Sequence, residues 1–322
     1  MVCLSSENYG LFVGDFLQHS NCGSLPRIGG SDTNAVVDWF INVKQGRISE
    51  AEHFSRHIPQ CSHLNGFYAK DQSTLVEEYI RYLEYLNQTY VNSNSLTLCN
   101  WQWLRLFYRE ELNGTPYFDF PESNLHSYAE YAEYIQLNKK VIGSYSHFES
   151  LVASKYSFLH QLKIGMAGKK VLVVNPFVKS FEQNKDKIDY LFKNFSYGNI
   201  KFEYLTSPVT YPGVESNNMN KDWFDTMIEL GKEISSIDCD LVLLSCGSYA
   251  LPLCPILSNR SNKKAIYVGG ILQLYMGVLG GRWEKEERYS KQLNLENFIK
   301  PLKDTQIQDK LIPNAEPYSA YF

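Results

Sequence analysis

The chain has 322 residues, 44% hydrophobic and 20% charged, a composition that supplies a substantial core and excludes a disordered or fibrous polypeptide. A net charge of -4 argues against a general nucleic-acid binder, which would carry a basic face. No apolar run reaches the ~20 residues of a membrane helix, and the opening MVCLSSENYGLFVGDF lacks the basic and apolar regions of a secretion signal, so a cytoplasmic protein without a membrane span is expected.

After an uninformative start, Ser24-Leu25-Pro26-Arg27-Ile28-Gly29-Gly30-Ser31-Asp32 sets an arginine, two glycines and a carboxylate ahead of an apolar helix over 35–43. Serine and aspartate are favoured helix caps, so Ser31 or Asp32 as the N-cap is the simplest use of this turn. The same turn can instead present Asp32 as a general base or metal ligand, and Arg27 to a phosphate or carboxylate.

His53, His57, Cys61 and His63 form the densest group of soft metal ligands. A helix over 50–57 would set the two leading histidines one turn apart, but Pro59 is expected to end it before Cys61, and the spacing matches no zinc finger. A polar helix surface is the favoured reading. Every histidine lies at or before His160, so a base serving the second half is either a carboxylate or borrowed from the first.

Helical spacing of Leu75, Tyr79, Tyr82, Leu83 and Leu86 predicts a core-facing helix over 75–90, and another follows over 125–135. Between them, Asn100-Trp101-Gln102-Trp103-Leu104-Arg105 and Thr115-Pro116-Tyr117-Phe118-Asp119-Phe120 either pack inside or contribute to an acceptor groove, packing being the commoner use of such rings. A helix over 147–162 should end before Gly165-Met166-Ala167-Gly168.

From Lys169 the pattern changes. An apolar strand runs into Asn175-Pro176-Phe177, followed by a helix near 186–195, a strand over 200–205, a proline-rich loop over 206–213 and a helix opened by Asp222-Trp223-Phe224. The strand 241–244 then ends in Ser245-Cys246-Gly247-Ser248 and enters an apolar helix over 249–257. The strand 265–268 stops at Gly269-Gly270 before a helix over 271–279. Runs that are apolar on both faces suit interior strands of a parallel sheet, so four strands alternating with helices predict an α/β fold with a Rossmann-like sheet. Ligands of such sheets bind beyond the carboxyl ends of the strands, which puts both glycine turns on one rim. There the glycines would let N–H groups approach an anion such as a pyrophosphate. Neither turn matches GxGxxG or the P-loop, and tight packing is the competing use.

These elements divide the chain into a mainly helical half over 1–165, a Rossmann-like half over 166–284 and a tail over 285–322. The aromatic end of the tail, with Tyr318, Tyr321 and Phe322, suggests docking on the body. Seven cysteines, odd in number and without framework spacing, are expected to be reduced thiols.

Two separated motifs resemble glycosyltransferases of the GT-D fold and related uncharacterised bacterial and viral proteins. Arg27-Ile28-Gly29-Gly30-Ser31-Asp32 resembles their R-F-G-D-G-E turn. Cys246-Gly247-Ser248 followed by Lys264-Ala265-Ile266-Tyr267-Val268-Gly269-Gly270, with Gln273 and Arg282-Trp283 beyond, resembles their C-terminal nucleotide-sugar half. The resemblance implies transfer of a sugar from a nucleoside-diphosphate donor, a UDP-sugar for example, to a carbohydrate or glycoconjugate acceptor. It implies Asp32 and Arg27 as catalytic residues, with Gly29, Gly30, Cys246, Gly247, Ser248, Tyr249, Gly269, Gly270, Gln273 and Arg282 around the donor. Mg²⁺ or Mn²⁺ at Asp32 is implied as well, but Gly30 stands where the family has its other acid. A Rossmann-like oxidoreductase or methyltransferase, and a sugar- or nucleotide-binding protein without catalysis, are the alternatives. The lack of GxGxxG weighs against the first of these.

Overall fold

The computed structural model describes residues 2–20, 22–99, 101–108, 125–210, 221–284, 289 and 291–302, with the backbone alone at 2, 101 and 282. The aromatic stretch 115–120, the loop end 211–213 and the chain end from 303 onward, with Tyr318, Tyr321 and Phe322, lie outside the described residues.

Nine described strands form two sheets, parallel throughout. The larger has the order β2 (Gly23–Leu25), β9 (Lys264–Tyr267), β8 (Leu241–Leu244), β6 (Lys170–Asn175), β7 (Lys201–Thr206). The smaller runs β1 (Val2–Cys3), β5 (Val141–Ser144), β4 (Ser95–Leu98), β3 (Arg27–Ile28). The expected α/β fold with a Rossmann-like parallel sheet is therefore present, and its fifth strand comes from the beginning of the chain.

The unbroken apolar runs follow from burial on both faces. Val242 and Leu244 pack into one core with Tyr79, Tyr82 and Trp223, while Leu241 and Leu243 face a second core with Val13, Phe158 and Leu162. Leu172 and Val174 of β6 divide from Val171 and Val173 in the same way, as the two-residue period of a strand requires. Residues 23–28 pass from one sheet to the other: Leu25 pairs with Ile266 of β9, and Arg27 with Thr97 of β4. Pro26 sits at the transfer point. It has no N–H to donate, and its carbonyl accepts from Thr97 N at 3.0 Å.

Several helices differ from the sequence reading. The expected apolar helix begins earlier, as α2 (Gly30–Val37), and continues as a π-helix, Asp38–Val43. The helix over 147–162 is two pieces, Ser146–Glu149 and Phe158–Met166. The serines between them bond locally, Ser150 Oγ to the His147 carbonyl and Ser154 Oγ to Tyr156 N, and so compete with the helical ladder. After β6 the helix starts at once, Val178–Asn184, because Asn175 Oδ1 accepts Phe177 N at 2.7 Å and turns the chain directly off the strand; Lys185–Tyr190 is 3₁₀. The helix after β9 stops at Tyr275, with Gly277 left-handed two residues later. The helix from Trp223 to Ser236 matches expectation and has Asp222 in a capping box.

Pro59 does not end its helix. Following α1 (Ser6–His19) and α2, helix α3 runs unbroken from Glu50 to Asn65, capped by Ser49 at one end and by left-handed Gly66 at the other. Pro59 and Ser55 are both exposed, so the carbonyl that loses its partner faces water. Continuity puts His53, His57, Cys61 and Asn65 on one face, all at four-residue spacing.

Candidate active site

Residues 27–32 leave β3 and enter α2, whose N-cap is Gly29 and has no side-chain capping bond. Asp32 is therefore inside the helix and does not cap it, and Ser31 does not cap it either. Asp32 is buried, and its Oδ1 accepts from Tyr82 Oη of helix α4 (Leu75–Asn92) and from Asn65 Nδ2 at the end of α3. Burial pushes its pKa up to about 6, against the opposing pull of the Tyr82 hydroxyl, the Arg27 charge and the Asn65 amide.

Asn65 makes three connections. Besides Asp32, its Oδ1 accepts from Ser31 Oγ at 2.6 Å, and its carbonyl accepts from Ser248 Oγ at 2.7 Å. Ser248 also accepts from Trp223 Nε1 at 2.9 Å, so the turn after β8 is fixed against the end of α3. Gly247 is left-handed, and Gly247–Tyr249 is a 3₁₀ turn leading into the helix Ala250–Ser261. The N–H groups of such an entry have no partners four residues back and can meet an anion. Tyr249 Oη pairs with Thr210 Oγ1 at 2.8 Å, and Thr210 donates to the Gly66 carbonyl.

The turn after β9 works differently from the expected N–H cradle. Gly269 N–H is bonded to the Leu244 carbonyl, and Ile271 N–H to Tyr145 Oη. The contribution of Gly269 is space: at φ +75° it lies where a Cβ would be 2.3 Å from Arg27 Nη1. The guanidinium is held between the rings of Tyr145 and Tyr267, 4.5 Å from each centroid, and Nη2 donates to Tyr267 Oη at 3.3 Å. Among the described residues its Nε is buried without a hydrogen-bond partner.

Several of these groups line one cleft of about 210 Å³. Its walls include Arg27, Gly29, Gly30 and Asp32 from the beginning of the chain, and Cys246, Gly247, Ser248, Tyr249, Gly269, Gly270 and Gln273 from its last third. Arg282 is described by its backbone alone, in the short helix Gly281–Glu284. Sequence reasoning missed Asn65, Asn175, Ser207, Thr210 and Tyr267, which also line the cleft. Asn65-Gly66 is a helix-end signature that could have been recognised. Tyr82 is buried on the expected core face, but its hydroxyl belongs to the site. The cleft also sits where topology predicts. The chain goes outward from β6 to β7 and returns to β8 on the other side, so the strand order reverses between β6 and β8. Asn175 ends β6 and reaches the Ser245 carbonyl beyond β8 at 3.4 Å.

The donor set does not fit a protein-held divalent cation. Asp32 offers one carboxylate with Oδ1 already accepting twice, residue 30 is glycine, and no cluster of three metal-ligating side chains occurs among the described residues. His53, His57 and Cys61 are not a polar surface either. They are buried on the core side of α3 while His63 is exposed, and His57 Nε2 pairs with Asp38 Oδ2 at 2.7 Å. Burial pushes the Cys246 thiol well above its ordinary pKa. Trp103 is fully buried against Phe107 and Tyr128, so this ring packs and forms no groove. All seven cysteines are free, and no described helix is long and apolar enough to cross a membrane.

No family model matches the chain, and no curated protein does. A solved structure, the selenomethionine-substituted domain of unknown function 1792, is similar in fold over 100% of this chain and 94% of its own, with a TM-score of 0.50 and 14% sequence identity. The fold of this chain is similar to that domain along its entire length.

Proposed function

We propose that this protein is a glycosyltransferase that moves a sugar from a nucleoside-diphosphate donor to a hydroxyl of a carbohydrate or glycoconjugate acceptor. The observation that carries the reading is the meeting, in one cleft, of a buried carboxylate of near-neutral pKa, a half-buried guanidinium and a helix-entry turn. The resemblance of residues 27–32 and 246–270 to GT-D glycosyltransferases supports the same reading.

Asp32 removes the proton from the acceptor hydroxyl. The oxygen attacks the anomeric carbon as the bond from that carbon to the diphosphate breaks, and the proton stays on Asp32 until exchanged with water. A carboxylate with a pKa of about 6 is ionised at neutral pH and is still a stronger base than an ordinary aspartate. The departing diphosphate meets Arg27 and the N–H groups of the Gly247–Tyr249 turn, which neutralise charge as it develops. The turn after β6, the position where a dinucleotide-binding sheet carries its glycines, is Asn175-Pro176-Phe177 here, which disfavours the oxidoreductase alternative.

The test is thermal stabilisation by UDP-, GDP-, TDP- and CMP-sugars, then hydrolysis or transfer with any ligand that raises the melting temperature. Stabilisation by NAD or S-adenosylmethionine and by no sugar nucleotide would overturn the proposal. Stabilisation by a sugar nucleotide without turnover on any acceptor or water would favour a binding protein.

A further inference from the structure

The proposal above leaves the cleft wall at β6 and β7 without a role. The strand order β9-β8-β6-β7 puts the end of β7 three strand spacings from the β9 turn that holds Arg27. At ~4.8 Å per step this is ~14 Å, close to the span of an extended nucleoside diphosphate. A ligand with its phosphates at Arg27 and Gly247 that follows the strand ends therefore brings its base to the end of β7.

One side chain there remains unsatisfied. Ser207, directly after β7, lines the cleft at 1% exposure, and its Oγ has no hydrogen-bond partner among the described residues. Its polar neighbours are committed. Asn175 gives Nδ2 to the Ser245 carbonyl and takes Phe177 N on Oδ1, and Thr210 is tied to Gly66 and Tyr249. A buried hydroxyl left unpaired forfeits the hydrogen bonds it made to water, a loss that a ligand group can recover. Around it, Phe177, Pro176, Pro208 and Val209 supply apolar wall suited to a flat heterocycle.

We infer that Ser207 reads the nucleobase of the donor and is the specificity-determining residue at that end of the cleft, an assignment that rests on the nucleotide reading above. A hydroxyl buried to serve one polar edge of a base discriminates against bases that do not present that edge, because a mismatched ligand leaves it unpaired. Asn175 shapes this end and does not contact the base through its amide.

The experiment is calorimetric titration of the full chain with UDP, TDP, GDP, ADP and inorganic pyrophosphate, comparing wild type with Ser207→Ala, which removes the hydroxyl at nearly constant volume, and with Ser207→Cys, which puts a weak thiol donor in its place. Both variants should weaken the preferred nucleoside diphosphate about tenfold and compress the ranking among bases, with pyrophosphate affinity unchanged. Retained pyrophosphate binding shows that the variant is folded. An unchanged ranking, or equal weakening of nucleotide and pyrophosphate, overturns the assignment and leaves the proposed function standing. A wild-type protein that binds none of the four nucleotides overturns both.

Discussion

A Cβ on Gly269 would lie 2.3 Å from Nη1 of Arg27, so the glycine that ends one turn in the last third of the chain is matched to an arginine from its beginning. Gly269→Ala should cost about 1 kcal/mol for the left-handed backbone alone and more for displacing the guanidinium from between Tyr145 and Tyr267. We expect a total loss of about 1–3 kcal/mol in denaturant unfolding, together with weaker pyrophosphate binding in calorimetry.

Asp32→Asn separates activity from stability. In the folded protein the carboxyl holds its proton up to about pH 6, whereas an aspartate in water has an ordinary value of 3.8. Between those values the folded state binds more protons at Asp32 than the unfolded, so the contribution of this group to stability falls as pH rises from about 4 to about 6, by about 3 kcal/mol, and is constant above. Asn65 and Tyr82 can both still donate to the amide oxygen of an asparagine. Denaturation at pH 7 should show the variant more stable than wild type by up to about 3 kcal/mol, with the difference fading towards pH 4. Turnover should drop at least about 100-fold.

Tyr82→Phe removes one donor from Asp32 and keeps the ring that packs against Phe67 and Trp223. That hydroxyl is the strongest influence holding the Asp32 pKa down, so its loss moves the pKa above about 6. The acid limb of the pH–rate profile should shift to the alkaline side by about one unit, while the limiting rate at high pH changes little.

Gly30→Asp should be accepted readily, because nothing lies within 4 Å of a Cβ at that position and an acid in the first turn of α2 suits the helix dipole. It would also place a second carboxylate two residues before Asp32. Mn²⁺ titration should show tighter binding to the variant than to wild type, and the unfolding free energy should stay within about 0.5 kcal/mol of wild type in the absence of metal.

The elements that sequence located best are those whose pattern is local. The strands at Leu241 and Ala265 show as apolar runs closed by glycine, and Asp222-Trp223-Phe224 as a helix start. The cleft residues Arg27 and Asp32 were legible as a constellation of charge and glycine. Their physical roles were not, since whether Asp32 caps a helix or accepts from Tyr82 is decided by the packing of α4, which no local pattern reports. Asn65 escaped notice because Pro59 suggested a helix end that tertiary contacts override. The small sheet was missed because β1 and β3 are two-residue strands, too short to show a period. Gly269 was recognised, but for the wrong reason: its lack of a side chain makes room for an arginine and does not open its N–H to a ligand.

The transfer of residues 23–28 between the sheets determines how this protein can be divided. Strand β9 gets its outer hydrogen bonds from Gly23, Ser24 and Leu25, which are synthesised some 240 residues before it. A fragment starting at residue 166 would leave the Lys264–Tyr267 edge bare, a fully buried and mostly apolar ladder with nothing to cover it, and is expected to self-associate edge to edge. Supplying the N-terminal fragment in trans would restore solubility only if it brings that short strand with it. The two halves thus share one sheet, and Asp32, the proposed base, follows directly in sequence on the segment that closes it.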